Sequence, residues 1–129
     1  MAAAYALKPR GIFESGLACR AMARPLARLE LVFGTQRKGA GPVSEEEWES
    51  FLAGEITPRF PDGLTVISGY GQWRGAGGTL VKEASRMLVI WYPAQDDSSL
   101  QIEAIRAAYK ARFGQDSVLR ADSMSCVSF

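Results

Sequence analysis

The sequence predicts one α+β domain, in which a four-stranded antiparallel sheet carries two helices on one of its faces. The chain has 129 residues, which is enough for a single hydrophobic core. Apolar residues make up 47% and charged residues 22%, a balance typical of a folded chain rather than a disordered one. Stretches with helical periodicity alternate with stretches of strand character in the order β-α-β-β-α-β.

The first strand and the first helix lie in the first half of the predicted domain. Period-two alternation predicts a strand over Leu26–Phe33, and a glycine-containing loop follows it. Ser44 and Glu47 have the spacing of a capping box, which predicts that the helix begins after Ser44. The apolar residues at helical spacing are Trp48, Phe51, Leu52 and Ile56. Pro58 lacks a backbone N–H, so we expect the regular helix to end before it.

A hairpin and a second helix follow. The hairpin is predicted from strands over Leu64–Arg74 and Thr79–Tyr92, joined by the glycine-rich loop Gly75–Gly78. The second helix is predicted between capping residues at 96–99 and Gly114. Its buried face is expected to consist of Ile102, Ile105, Ala108, Tyr109 and Phe113.

The last predicted element is a strand over Ser117–Asp122, followed by a tail of residues 123–129. Right-handed crossovers fold this order of elements into the ferredoxin-like arrangement. The first and third strands are then neighbours in the centre of the sheet, and the fourth lies beside the first in the opposite direction. The domain is expected to span residues 26–129.

The composition excludes several kinds of site. The chain has no histidine, which removes Ser-His-Asp and Cys-His nucleophilic machinery and histidine-ligated metals. Two cysteines are too few for a structural zinc site, so we expect neither a metal nor a cofactor. The net charge of +1 gives no indication of nucleic-acid binding, and no apolar run is long enough for a transmembrane segment.

Residues 1–25 are interpreted as an N-terminal extension. They begin with an apolar stretch, but Lys8, Arg10 and Glu14 interrupt it before it reaches the length of a secretory signal core. The sequence therefore shows no clear signal peptide.

Five segments of the domain are similar to a bacterial family of small proteins of unknown function. The segments are Gly41–Trp48 (GPVSEEEW), Ile56–Val66 (ITPRFPDGLTV), Gly71–Arg74 (GQWR), Ile105–Gln115 (IRAAYKARFGQ) and Cys126–Phe129 (CVSF). The match covers residues 28–129. The resemblance implies a periplasmic or extracellular setting and a cysteine shortly before the first strand, which Cys19 supplies. It implies no reaction and no catalytic residues.

Three states are open for the two cysteines, Cys19 and Cys126. In the predicted sheet the segment after the fourth strand lies near the segment before the first, so the two residues can form a disulfide. A bridge that closes so long a loop would stabilise the fold by about 4–5 kcal/mol. The alternatives are two inert thiols or one reactive cysteine.

A polar cluster is expected around the turn after the first helix and around the hairpin. Its members are Glu55, Arg59, Asp62, Gln72, Trp73, Glu83, Ser85, Arg86 and Gln115. One interpretation of the cluster is structural. Arg59 would pair with Asp62, and Glu83 with Arg86, as ion pairs that tie the turn and the hairpin together.

The other interpretation is a pocket on the uncovered face of the sheet. Its ligand-binding residues would be Arg59, Tyr70, Gln72 and Trp73. The aromatic side chains would form the walls, and Arg59 or Arg86 would bind a small anionic ligand. Glu83 is the candidate general base, so Glu83 and Arg86 are the candidate catalytic residues.

The sheet face without helices is expected to expose apolar side chains. Val32, Val89, Trp91 and the aromatic residues of Tyr70–Trp73 have to be divided between the two faces. Large exposed apolar patches mark interfaces, so a homodimer is predicted, formed through this face or through an outer strand.

Two hypotheses for function follow. The first is an exported, non-catalytic binding or interaction domain. The alternative is a cofactor-free small-molecule enzyme of the dimeric α+β barrel type, with its pocket against the sheet. A deep aromatic-lined cavity that contains Glu83 or Arg86 would favour the enzyme, and a flat apolar sheet face would favour the interaction domain.

Overall fold

The computed structural model describes residues 18–129, which form four strands and two α-helices. The elements are β1 (Arg24–Gly34), α1 (Glu45–Phe51), β2 (Thr65–Arg74), β3 (Leu80–Tyr92), α2 (Ser98–Phe113) and β4 (Leu119–Val127). A π-helical turn, Leu52–Ile56, continues α1, and a 3₁₀ turn, Ala76–Gly78, closes the hairpin between β2 and β3. The capping box predicted at the start of α1 is present, with Ser44 and Glu47 each bonded to the other's backbone N–H.

The sheet has the strand order β2-β3-β1-β4, and every neighbouring pair is antiparallel. Residues of both helices share one core with one face of the sheet. The predicted ferredoxin-like arrangement is therefore confirmed.

The prediction for the last strand was wrong in its extent. It placed the strand at Ser117–Asp122, whereas β4 runs from Leu119 to Val127 and pairs with β1 as far as Arg24. β4 is an outer strand, and none of residues 121–127 is buried. Several of them are polar, so the sequence shows no apolar alternation there. The strand continues to Val127 because its backbone pairs with the start of β1, although its side chains are not buried there.

A disulfide joins Cys19 to Cys126, whose Cα atoms are 5.4 Å apart. It links the segment that precedes β1 to the end of β4, where Cys126 pairs with Pro25. Of the three states left open by the sequence, the disulfide is confirmed, and neither cysteine is free.

The core lies between the helices and the face of the sheet that they cover. Its fully buried side chains include Leu29, Leu31, Phe33, Trp48, Phe51, Ile56, Leu88, Ile90, Ile102, Ile105 and Tyr109. The ring of Tyr109 lies 4.7 Å from that of Phe33 and 5.1 Å from that of Phe51, between centroids. The Tyr109 hydroxyl donates a hydrogen bond to the Gly34 carbonyl oxygen at 2.6 Å. Burial raises the pKa of this hydroxyl, and the nearby Glu83 carboxylate raises it further.

Among residues 18–129 no helix covers the opposite face of the sheet, which is called the open face below. Strand alternation and register place on it Val32, Ile67, Trp73, Val81, Met87, Val89, Trp91 and Leu119. Ile67, Trp73, Trp91 and Leu119 are between 42% and 57% exposed. Tyr70 alternates to the other side and is exposed as well. Large exposed apolar side chains thus occur on the open face and, at Tyr70 and Leu80, on the other side of the sheet.

Candidate functional site

Glu83 on β3 is the centre of the candidate site. Its side chain belongs to the open face, yet the residue is only 5% exposed. Gly71 is its partner on β2, and Gly34 lies beside it on β1. A Cβ atom at Gly34 would lie 2.9 Å from both carboxylate oxygens, closer than real contacts allow. Glycine at that position is what gives the carboxylate its space.

Two backbone N–H groups hold the Glu83 carboxylate. The amides of Thr35 and Gln36 both donate to Oε1, each at 2.7 Å. Among residues 18–129, no donor lies within hydrogen-bond distance of Oε2. One oxygen is therefore held by two backbone amides, and the other has no donor from the described residues.

The loop that supplies these amides is itself anchored on both sides. The Thr35 hydroxyl donates to the Ala84 carbonyl oxygen at 2.7 Å, next to Glu83 on β3. The Gln115 side chain donates to the Gln36 carbonyl oxygen, also at 2.7 Å, from the segment after α2. The site is therefore preformed by contacts with two other elements.

A cavity of about 860 Å³ opens in front of the carboxylate. We call it the Glu83 cavity. Its apolar lining is Val32, Trp73, Val81 and Leu119; its polar lining includes Gln36, Gln72, Ser85, Gln115 and Ser117; and its charged lining is Arg37, Lys38, Glu83 and Asp116. The volume of this cavity lies in the range found for small-molecule sites.

Arg37, a cation at the rim of this cavity, is bound elsewhere. Its guanidinium donates to both carboxylate oxygens of Glu47, at 2.9 and 3.0 Å, and to the Gly41 carbonyl oxygen at 2.8 Å. The hydrogen bond from Arg37 lowers the pKa of Glu47. Arg37 is therefore neutralised by Glu47 and fixes the loop after β1 to the start of α1.

Residues 28–129 match the family model described as "Protein of unknown function (DUF3574)". The chain belongs to the DUF3574 family. The family resemblance expected from the sequence motifs is thereby confirmed.

Solved structures show where else this fold occurs. A phage SAM lyase in complex with S-methyl-5′-thioadenosine superimposes on the DUF3574 domain with a TM-score of 0.61 and 16% identity, over 88% of this chain and 95% of the other. The apo state of a phage SAM lyase gives a TM-score of 0.56 and 16% identity, over 88% and 96%. At this identity the likeness shows a shared fold. Comparison with curated proteins gives no match.

The DUF3574 domain gathers part of the predicted polar cluster in the Glu83 cavity. The members found there are Gln72, Trp73, Glu83, Ser85 and Gln115. Tyr70, expected as a second aromatic wall, does not line the cavity, because it alternates to the other side of β2 from Trp73.

The predicted ion pair between Glu83 and Arg86 was wrong. Residues three apart in a strand point to opposite faces, so Arg86 lies on the side of the helices. There its guanidinium bonds to the Glu45 carboxylate and, at 3.0 Å, to the Ser68 hydroxyl, and it lies 5.9 Å from the Trp48 ring centroid. Arg86 thus covers the core beside α1 and does not reach the Glu83 cavity.

The predicted pair of Arg59 and Asp62 was wrong as well. Arg59 bonds to the Glu55 carboxylate at 2.9 Å, one helical turn back, and to the Gln101 side chain at 3.1 Å. It lines a separate recess of about 240 Å³ next to Tyr92. Since neither arginine lies in the Glu83 cavity, the predicted anion-binding arrangement is not formed on the open face.

The described part of the chain holds no group of three or more cysteine, aspartate or glutamate side chains placed to bind a metal ion. Within the same residues, no helix combines the length and the apolar character needed to cross a membrane.

The sequence interpretation missed the loop that holds the carboxylate, Gly34–Gln36. Its contribution comes from backbone amides, which any residue type except proline supplies. The one signal in the sequence is Gly34 itself, a glycine at the end of an apolar strand.

Proposed function

We propose that this DUF3574 domain binds a small organic molecule in the Glu83 cavity. The observation that carries the proposal is the buried carboxylate, which is held through Oε1 and presents Oε2 without a protein donor among residues 18–129. A carboxylate oxygen that has no donor among the described residues can accept a hydrogen bond from a ligand in the cavity that Glu83 lines.

The walls of the cavity support the same proposal. Trp73 is 47% exposed and lies on β2 opposite Val81. Val81 precedes Glu83 by two residues on β3, so all three side chains belong to the same face. Its indole ring can stack on a planar or cationic group while Glu83 accepts a hydrogen bond. A phage protein of the same fold has been solved with S-methyl-5′-thioadenosine, which is consistent with ligand binding by this architecture.

A fragment library screened by ¹⁵N–¹H NMR tests the proposal. We expect the binding fragments to shift the Trp73 indole resonance and the Thr35 and Gln36 amide resonances together. For the strongest fragment, Trp73→Ala should weaken binding about tenfold, since about 1–1.5 kcal/mol of aromatic contact is lost.

Trp91→Ala is the matched control. Trp91 is on the same face and 42% exposed, but it does not line the Glu83 cavity, so its replacement should leave fragment affinity unchanged. A library that yields no binder at these resonances, or equal effects of the two tryptophan variants, would contradict the proposal.

The second candidate is the cofactor-free enzyme, in which Glu83 acts as a general base on the bound molecule. Two observations favour the enzyme: the Glu83 carboxylate lines a cavity, and the domain shares its fold with a phage SAM lyase. Incubation with SAM, followed by chromatography, separates the two functions. Loss of SAM that is abolished by Glu83→Gln would favour the enzyme, and intact SAM would favour the binding domain.

We also propose that two copies of the chain associate through the part of their open faces that lies outside the Glu83 cavity, around Ile67 and Trp91. Ile67 and Trp91 are 48% and 42% exposed there, and exposed apolar surface on a sheet marks an interface. Arg28 and Glu30 on this face neutralise each other at 2.7 Å, so two copies meet without repulsion from these groups.

The mass in solution tests this association. We expect a dimer of twice 14.0 kDa by light scattering, and Ile67→Glu should convert it to a monomer, because Ile67 is 48% exposed on the open face. Leu100→Glu is the control, since Leu100 is 73% exposed on α2, away from that face. A monomeric wild-type chain, or dissociation by Leu100→Glu alone, would contradict the association.

The disulfide supports a periplasmic or extracellular setting for this domain. Disulfides persist in oxidising compartments and are rare in the cytosol. Cys19–Cys126 joins the two ends of the described chain, as expected of a structural bridge in an exported protein.

A further inference from the structure

Glu83 contributes to the lining of the Glu83 cavity a carboxylate that has no counter-charge among the described residues. Glu83 is 5% exposed, and its Oε1 atom accepts hydrogen bonds from two neutral backbone N–H groups rather than from a cation. No ion pair within the described residues includes Glu83. Residues 18–129 therefore solvate this carboxylate on one side and supply no counter-charge on the other.

The cations nearest to the cavity do not supply that counter-charge. Arg37 is bound to Glu47, at 2.9 Å. Lys38 is exposed at the rim, where Asp116 is also exposed, so the two rim charges offset each other. A buried carboxylate is stabilised most by a positive charge brought into contact with it, because the local dielectric constant is low.

The cavity wall next to the Glu83 carboxylate also suits a positively charged group. Trp73 lies diagonally across β2 and β3 from Glu83, where same-face side chains are about 7–8 Å apart at Cα. Between them Gly71 contributes no side chain, so a group of a few atoms fits against both the ring and the carboxylate. Ring faces attract cations, most strongly at tryptophan.

We propose that the ligand of the Glu83 cavity is an organic cation, whose ammonium, sulfonium or similar group lies between Oε2 of Glu83 and the ring of Trp73. This inference rests on the proposed binding function and adds the charge of the ligand to it. It also reverses the sign expected from the sequence, where arginines suggested an anionic ligand.

Choline and its uncharged isostere 3,3-dimethyl-1-butanol test the sign of the charge. Choline has a positively charged quaternary nitrogen where the alcohol has an uncharged quaternary carbon, so the two molecules have nearly the same shape and differ in charge. We expect choline to bind at least tenfold more tightly by NMR titration of the Trp73 indole and the Thr35 and Gln36 amides. In Glu83→Gln the preference for choline should fall severalfold, to what the ring of Trp73 provides alone, since glutamine retains the acceptor for the two amides and removes the charge.

The possible failures are distinguishable. If both probes shift the three resonances with equal affinity, or the alcohol binds more tightly, the cation inference is wrong and the binding function stands. If neither probe nor any library fragment shifts them, both proposals fail. A preference for choline that is undiminished in Glu83→Gln would place the cation away from Glu83 and overturn the inference, with Asp116→Asn as the variant that then locates it.

Discussion

Removal of the Cys19–Cys126 disulfide is expected to lower the free energy of unfolding by about 4–5 kcal/mol. The bridge spans 107 residues, so it restricts nearly the whole described chain in the unfolded state. The double variant Cys19→Ser, Cys126→Ser and the reduced wild-type chain should lose the same amount in urea unfolding. Hydrogen exchange should locate the faster opening at the end of β4 that pairs with Arg24 and Pro25.

Equal stability of the oxidised and reduced chains would contradict this expectation. It would mean that the pairing between β1 and β4 holds the chain ends together without the bridge. A loss confined to the double variant, with no effect of reduction, would instead assign the change to the serine side chains.

Replacement of Glu83 by alanine should destabilise the domain by about 2–4 kcal/mol. The amides of Thr35 and Gln36 would lose their acceptor, and each unsatisfied donor costs about 1–3 kcal/mol when buried. Glu83→Gln keeps an oxygen at the position of Oε1, so its loss should stay below about 1 kcal/mol. Urea unfolding of the two variants measures the difference.

Gly34 provides the matched test of the same geometry. Gly34→Ala should destabilise the wild-type chain, because its Cβ would lie 2.9 Å from both Glu83 oxygens. The same change in the Glu83→Ala background should cost much less, since the clashing atoms are gone. Additive effects of the two substitutions would show that the Gly34 backbone and the Glu83 carboxylate do not interact as described.

The candidate site was only partly predictable. Gln72, Trp73, Glu83 and Gln115 were grouped correctly, because hairpin register and helix ends can be inferred from turn residues. Arg86 was grouped wrongly, although it lies only three residues from Glu83. Proximity along a strand does not determine which face a side chain belongs to until the register is counted residue by residue.

The sequence by itself determined the order of elements, the side of each helix that is buried and the strand order of the sheet. These follow from periodicity, the capping box at Ser44 and the handedness of crossovers, all of which are local or general constraints. Only the tertiary structure decided that the amides after Gly34 hold one oxygen of Glu83 and leave the other facing the cavity. Backbone donors from one loop meet a side chain 48 residues away in the chain, and no residue type records such a contact.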